Sequence, residues 1–207
     1  VQPSLSRISL FLSVAAIGAF YSYNSTHSNL LANLAYGEIN QLIKSVKLDS
    51  SPLWLVQTML GLGFYAIFNN DISLVQSASD QFVMIVKIVK SAKINQPLET
   101  MVVPPTNLFP NPVTKTLTSD QIDAAYRYFI TAQSRIHICH SMLFLSNIFP
   151  AMSGLEACFL SSDVLCGVPC PYEDLYTSKS PGEWYNNVLK NSIEIANSSQ
   201  LVNLSNG

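Results

Sequence analysis

The chain has 207 residues, of which 48% are hydrophobic and 12% charged, and its formal net charge at pH 7 is −2. This length can bury a sizeable core, and the apolar content excludes intrinsic disorder over most of the chain. A domain that holds DNA by itself normally carries a positive excess, which is missing here. The chain begins at Val1 and ends in a polar stretch, which indicates a fragment or a processed chain.

Four helices are predicted before the middle of the chain. Apolar residues recur at three- and four-residue steps over residues 5–19, the pattern of an amphipathic helix. After a polar break at residues 21–28, further helices are predicted over about 29–46, 52–68 and 69–93. The helix at 52–68 is apolar on nearly all faces but shorter than the roughly 20 residues of a membrane span. We therefore expect a central helix of a helical domain, and no membrane.

The second half begins with a proline-rich loop. Residues 96–118 hold five of the 11 prolines, a density that no helix or central strand tolerates. Thr118-Ser119-Asp120 then offers a helix N-cap, and a long helix is predicted over 121–149. An irregular segment follows, with a last helix from about Pro181 to Ala196. The predicted fold is therefore all-α: a single multi-helix domain over residues 1–196, with a polar tail at 197–207.

No set of residues in the sequence is typical of a catalytic site for a particular reaction. Paired carboxylates on one helical face, a GxSxG motif and a phosphate-cradling glycine loop are all missing from the sequence. Possible metal ligands stand close together, but their spacing fits no familiar zinc pattern, and packed helix residues with reduced thiols are the favoured interpretation. These residues are His137, Cys139, His140, Cys166 and Cys170. We predict no catalytic site, no metal and no cofactor in this chain.

Arg135 is the charge that most needs an explanation. It falls in the long predicted helix among isoleucines, where a buried arginine needs a partner. An ion pair that holds the last segment is the favoured interpretation, with the carboxylates of Glu156, Asp163 and Glu173 as candidates. The alternative is an anchor for a ligand.

Aromatic residues gather near the C-terminal end and are candidates for an interface, because such side chains are enriched in protein contacts. The alternative, which we favour, is that they pin the irregular segment onto the helices. They are Tyr172, Tyr176, Trp184 and Tyr185.

Taken together, these segments resemble the middle regulatory domain of fungal transcription factors, the all-helical region downstream of zinc fingers or zinc clusters. The stretches PLWLVQTMLGLGFYAIFNND and YRYFITAQSRIHICHSMLFLSNIF look like two of its helices, with Arg135 as the family's helical arginine. The most specific likeness is CGVPCPYEDLYTSKSPGEWYNNV, which is similar to the family's ending. That segment supplies Pro169, Cys170, Pro171, Tyr176, Ser180, Glu183 and Trp184.

Some positions depart from the family pattern. Tyr126, Phe129 and Tyr176 stand where tryptophans are usual, and Val168 replaces a leucine. These substitutions keep large side chains, so they affect the assignment to a branch of the family more than the prediction of the fold. The likeness is nearest to the branch with a pair of two-Cys two-His fingers.

The resemblance implies a nuclear protein that controls transcription, with DNA contact and zinc confined to a region outside this chain. Its implied partners are proteins of the transcription machinery or an activation segment of the same protein. A second interpretation makes the chain a helical domain that binds an apolar small molecule or a lipid, because charges are scarce and residues 52–68 are so apolar.

Overall fold

The computed structural model describes residues 7–69, 71–105, 117–154 and 156–192. The described residues form seven α-helices and no strand, which confirms the all-α, multi-helix prediction. Short 3₁₀ turns lie at Leu48–Ser50, Leu98–Thr100 and Ser161–Asp163. The helices are α1 (Ile8–Tyr21), α2 (Ser25–Ile43), α3 (Leu53–Phe68), α4 (Ile72–Ser91), α5 (Ser119–Ser153), α6 (Glu173–Thr177) and α7 (residues 181–192).

The two helix boundaries that differ most from the sequence prediction are the start of α2 and the end of α5. Helix α2 starts at Ser25 rather than near residue 29, because the Asn24 side chain accepts the His27 N–H (3.3 Å) and caps it. Helix α5 continues through Pro150 to Ser153, beyond its predicted end at residue 149. The start of the first predicted helix, residues 106–116 of the proline-rich loop, the end of the last helix and the tail 197–207 lie outside the described residues.

The described residues divide into two compact units. The first comprises those of Val1–Gln96 and Arg135–Gly167, and the second those of Pro97–Ser134 and Val168–Gly207. Helix α5 therefore contributes its first half to the second unit and its second half to the first unit.

The core of the first unit is built around α3. Its residues Leu55, Val56 and Leu62 are fully buried, in agreement with the predicted central helix. Two glycines let neighbouring helices approach: a Cβ on Gly61 would lie 3.3 Å from Ser13 Oγ, and one on Gly63 would lie 3.3 Å from Leu145 Cδ1. Two polar groups in the core are satisfied across helices: the Tyr36 hydroxyl donates to Leu62 O (3.2 Å), and the Ser28 hydroxyl donates to Ala16 O (2.8 Å).

The second unit has a small aromatic core. Residues of the first half of α5 pack against α6 and α7, with Trp184 of α7 only 1% exposed. Its ring centroid lies 5.6 Å from that of Phe129 and 5.8 Å from that of Tyr126. The buried members of this core are Ala125, Phe129, Leu175, Trp184 and Val188.

Candidate functional site

Arg135 lies in the first unit, 5% exposed, with its guanidinium at the C-terminal end of α4. Its Nε donates to Ile94 O (3.3 Å), and its Nη2 donates to Gln96 O (3.2 Å) and to Lys93 O. A helix leaves its last carbonyls without intrahelical partners, and a cation is favoured there. The arginine therefore binds the segment that leaves α4.

Of the three acidic residues suggested as partners of Arg135, one has other partners and two are exposed. Asp163 pairs with Lys90 (Oδ1 to Nζ, 2.9 Å) and accepts the Leu160 N–H (3.0 Å). Burial acts to raise the pKa of this carboxyl, but these two donors outweigh it and the pKa is lowered. Glu156 and Glu173 are exposed. The described contacts of Arg135 with main-chain carbonyls carry no sequence signature, because every residue has a carbonyl.

The end of α4 has an unusual backbone. Lys93 adopts φ of 53°, in the left-handed region that favours glycine. The Lys93 N–H donates to Lys90 O (3.2 Å) and the Ile94 N–H donates to Val89 O (2.9 Å), the two bonds of a Schellman motif. Arg135 thus binds a helix terminus in which lysine occupies the usual glycine position.

Two cysteines, Cys139 and Cys166, form a thiol pair beside this terminus. Cys139 of α5 is fully buried, and its thiol contacts Ile94 O at 3.8 Å. Cys166 is half-buried, and the preceding residue is fixed because the Leu165 N–H donates to Asn95 O (3.0 Å). In the sequence these thiols were considered as metal ligands, and their pairing was not predicted.

A hydrogen bond between the two thiols makes them chemically unequal. It raises the pKa of Cys139, which burial raises further, and it lowers the pKa of Cys166 to about 7. Burial of Cys166 opposes that lowering, whereas the charges of His140 and Arg135 support it. Nε2 of His140 also lies 3.1 Å from Gly167 O, which fixes the residue after Cys166.

The residues considered as metal ligands do not assemble. Among the described residues, no group of three His, Cys, Asp or Glu side chains is placed to hold a metal ion. Cys170 lies in the second unit, where its N–H donates to Gln133 Oε1 (3.0 Å), and His137 is exposed on α5.

The second unit holds the aromatic residues predicted as interface candidates. Trp184 is buried in the core, and Tyr172, Tyr176 and Tyr185 are half-buried against it. The hydroxyl of Tyr176 donates to Gln133 Oε1 (2.8 Å) and lies 2.8 Å from Cys170 O. In this geometry the four aromatic residues hold α6 and α7 on the first half of α5.

Gln133 is the residue of this cluster that was not predicted from the sequence. Its side-chain oxygen accepts both the Cys170 N–H and the Tyr176 hydroxyl, so one amide fixes two points of the irregular segment. The start of α7 is fixed separately: Ser180 Oγ accepts the Glu183 N–H (3.2 Å), and Glu183 Oε2 accepts the Lys179 N–H (2.7 Å). In the sequence Gln133 looks like any other glutamine, and only its position in the fold shows this role.

An apolar cleft of about 390 Å³ opens in the first unit where α1 ends. It is lined by Phe20, Tyr21, Tyr23 and Ser25, and its tyrosines are 68% (Tyr21) and 98% (Tyr23) exposed. Tyr23 has φ of 57°, so a fully exposed aromatic side chain occupies a left-handed position. Such a position is unfavourable for tyrosine and marks the cleft as a candidate binding site.

Helix α4 is the described helix that is long and apolar enough to cross a membrane. This is weak evidence for a span, because 44% of its most apolar 18-residue stretch is buried inside the fold. The helix packs its apolar face, which includes Phe82, Ile85 and Val89, into the core of the first unit.

The fold and these sites describe an all-α domain with a buried arginine, a thiol pair and a fixed aromatic ending. Two curated proteins of Saccharomyces cerevisiae are similar to it. An alignment of 221 residues that covers the whole chain is 33% identical to Respiration factor 2 and 33% identical to the probable transcription factor TDA9.

The chain spans only 16% of the length of Respiration factor 2 and 18% of that of TDA9. No protein-family model matches the chain. No solved structure matches it either.

Proposed function

We propose that the chain is a middle regulatory domain of a fungal zinc-finger transcription factor, and that it controls transcription in the nucleus through protein contacts. The observation that carries the proposal is the 33% identity over the entire chain to a protein named a probable transcription factor. Zinc and DNA contact belong to a part of the protein outside this chain.

The composition and the ending support the same proposal. A formal net charge of −2 gives no electrostatic basis for holding DNA phosphates. The segment that resembles the family's ending is packed around Trp184 and fixed by Gln133, so its specific residues serve a defined local structure. A rigid unit of this kind can present a surface to a protein of the transcription machinery or to an activation segment of the same protein.

A reporter assay tests this proposal. The chain is fused to a foreign DNA-binding domain, with and without a neighbouring activation segment, and reporter output is measured. Activation, or silencing of the activation segment, is the expected result. Trp184→Ala should abolish the effect because it empties the core of the ending, whereas Lys190→Ala, an exposed change on α7, should preserve it.

The assay can also contradict the proposal. An inert fusion that is expressed at the level of the active control would do so. An effect that persists in Trp184→Ala would locate the regulatory surface outside the second unit.

A second candidate function, the binding of an apolar small molecule or lipid, is favoured by the cleft at the end of α1. Its volume of about 390 Å³ falls within the size range of small-molecule sites, and aromatic side chains line it. Native mass spectrometry of the purified chain after incubation with a fatty acid tests this. Tyr21→Ala should weaken binding, whereas Phe11→Ala, an equally exposed change on the same helix, should not. Absence of any adduct would exclude fatty acids as ligands.

A further inference from the structure

The thiol pair combines an accessible thiol with a buried partner. Cys166 is half-buried and can meet a small solute, whereas Cys139 is fully enclosed in the core of the first unit. The chain around Cys166 is fixed on both sides, by the Leu165 N–H to Asn95 O bond and by the contact of Gly167 O with His140. The Cys139 thiol itself lies 3.8 Å from Ile94 O, so these contacts between neighbouring residues bring the two cysteines close together.

The surroundings of the two thiols also give them different chemical roles. The thiolate is the reactive form of cysteine, and the hydrogen bond from Cys139 together with the nearby charges of Arg135 and His140 favours it at Cys166. The contact with Cys166 and burial raise the pKa of Cys139, so this thiol keeps its proton, which it donates to Ile94 O (3.8 Å). A low-pKa thiol that a small solute can reach, next to a second thiol, is the arrangement of redox-sensitive cysteines.

We propose that Cys166 is a peroxide-sensitive thiol and that Cys139 is its resolving partner, so that hydroperoxides convert the pair into a reversible disulfide. The Cys166 thiolate attacks one oxygen of hydrogen peroxide, the O–O bond breaks, and hydroxide leaves with the electron pair. Cys166 is then a sulfenic acid. The hydroxide takes the proton of Cys139, whose sulfur attacks the sulfenic sulfur and expels a second hydroxide, which is protonated to water. Two thiols are oxidised and one peroxide is reduced to two waters.

The disulfide would change the first unit in one defined way. It would join α5 covalently to the segment after the 3₁₀ turn Ser161–Asp163, which in the reduced chain is held only by hydrogen bonds and packing. A cross-link restricts the unfolded chain, so the oxidised domain should resist unfolding more than the reduced one. Thiol reductants should reverse the change.

Peroxide treatment of the purified chain, followed by alkylation and intact mass measurement, tests the proposal. A Cys170→Ala background is used, because Cys170 is close to Cys166 in sequence. The expected product has lost two hydrogens and takes up two fewer alkyl groups. Proteolysis at Glu156 and Asp163 separates Cys139, Cys158 and Cys166 into three fragments, of which the first and third should be linked.

Variants separate the two roles. Cys166→Ala should slow oxidation of the chain by at least about tenfold, because the reactive thiolate is gone. Cys139→Ala should still react but should stop at a sulfenic acid, which dimedone traps on Cys166. Cys158→Ala is the matched control: burial raises the pKa of Cys158, and its removal should leave the disulfide unchanged.

Three results would overturn the proposal: a disulfide between Cys158 and Cys166, a sulfenic acid at Cys166 that never links to Cys139, or an oxidation rate unaffected by Cys166→Ala. Far-ultraviolet circular dichroism of each variant ensures that a lost reaction is not lost folding.

Discussion

The guanidinium of Arg135 makes three described hydrogen bonds to carbonyls at the end of α4, and each is charge-assisted and at least partly buried. Arg135→Met keeps much of the side-chain volume but leaves those acceptors without their donor. We expect the free energy of unfolding to fall by about 2–4 kcal/mol, measured by urea titration.

Arg127→Met is the matched control. Arg127 is exposed and pairs with Asp123 (2.8 Å), so its loss should cost no more than about 0.5 kcal/mol. Equal losses in the two variants would contradict a role for Arg135 at this terminus.

The alkylation rate of Cys166 should depend on pH with a midpoint near its pKa of about 7. Below that pH the thiol is protonated and reacts slowly; above it the thiolate dominates and the rate reaches a plateau. A hydrogen bond with Cys139, a backbone hydrogen bond of Cys166 itself, and the charges of His140 and Arg135 lower this pKa. Stopped alkylation followed by fragment mass measurement gives the profile. In Cys139→Ala the midpoint should move up, because the hydrogen bond that stabilises the thiolate is removed. An unchanged midpoint in that variant would contradict the pairing.

Helix α4 ends in a left-handed residue that is not glycine, and this predicts an unusual response to substitution. Lys93→Gly removes the strain of a side chain at φ of 53° and should raise the free energy of unfolding by about 0.5–1 kcal/mol, measured by thermal or urea unfolding. Lys87→Gly, an exposed change in the interior of the same helix, should lower it by about 1 kcal/mol. Replacing lysine by glycine should therefore stabilise the chain at residue 93 and destabilise it at residue 87. Destabilisation by both variants would show that the contacts of the Lys93 side chain outweigh its backbone strain.

The close approach of α3 to α5 depends on a glycine. Gly63→Ala places a Cβ 3.3 Å from Cδ1 of Leu145, which is fully buried and has little room to move. Gly37→Ala in α2 meets no heavy atom within 4 Å. We expect Gly37→Ala to stabilise the chain by up to about 1 kcal/mol through helix propensity, and Gly63→Ala to be less favourable than this control by about 1–2 kcal/mol. Urea unfolding of both variants measures the difference, and equal gains would show that α5 can shift without cost.

The helices α1 to α5 could be predicted from the sequence, since apolar spacing or a capping residue indicates each of them. The boundaries that were wrong depend on single residues: Asn24 caps α2 earlier than its apolar pattern begins, and α5 passes through Pro150. Contacts between distant segments could not be read. Nothing in the spacing of Cys139 and Cys166 indicates that they meet, and the carbonyls that bind Arg135 look like any others. The aromatic ending was recognised as a unit, but its dependence on Gln133 required the fold.

The charge balance of the whole chain bears on how it would take part in transcription. It has 11 basic and 13 acidic residues, so nearly every favourable contact with a phosphate is offset by repulsion elsewhere. Affinity for DNA comes largely from counterions released when lysines and arginines neutralise phosphates. We expect a chain with this balance to have little such affinity, and the proposed effect on transcription would then pass through other surfaces.

We therefore predict that the purified chain binds duplex DNA more weakly than about 100 µM even at low salt, whatever the DNA sequence. Fluorescence anisotropy with a labelled random-sequence duplex measures this. A variant in which the exposed residues Glu38, Glu99 and Glu173 are replaced by lysine provides the matched control, since each change raises the net charge by two without touching the core. That variant should show weak binding that disappears as salt is added. Salt-dependent binding by the unaltered chain in the micromolar range would mean that its basic residues form a DNA-contacting face despite the net charge. The separation of regulation from DNA contact would then be wrong for this domain.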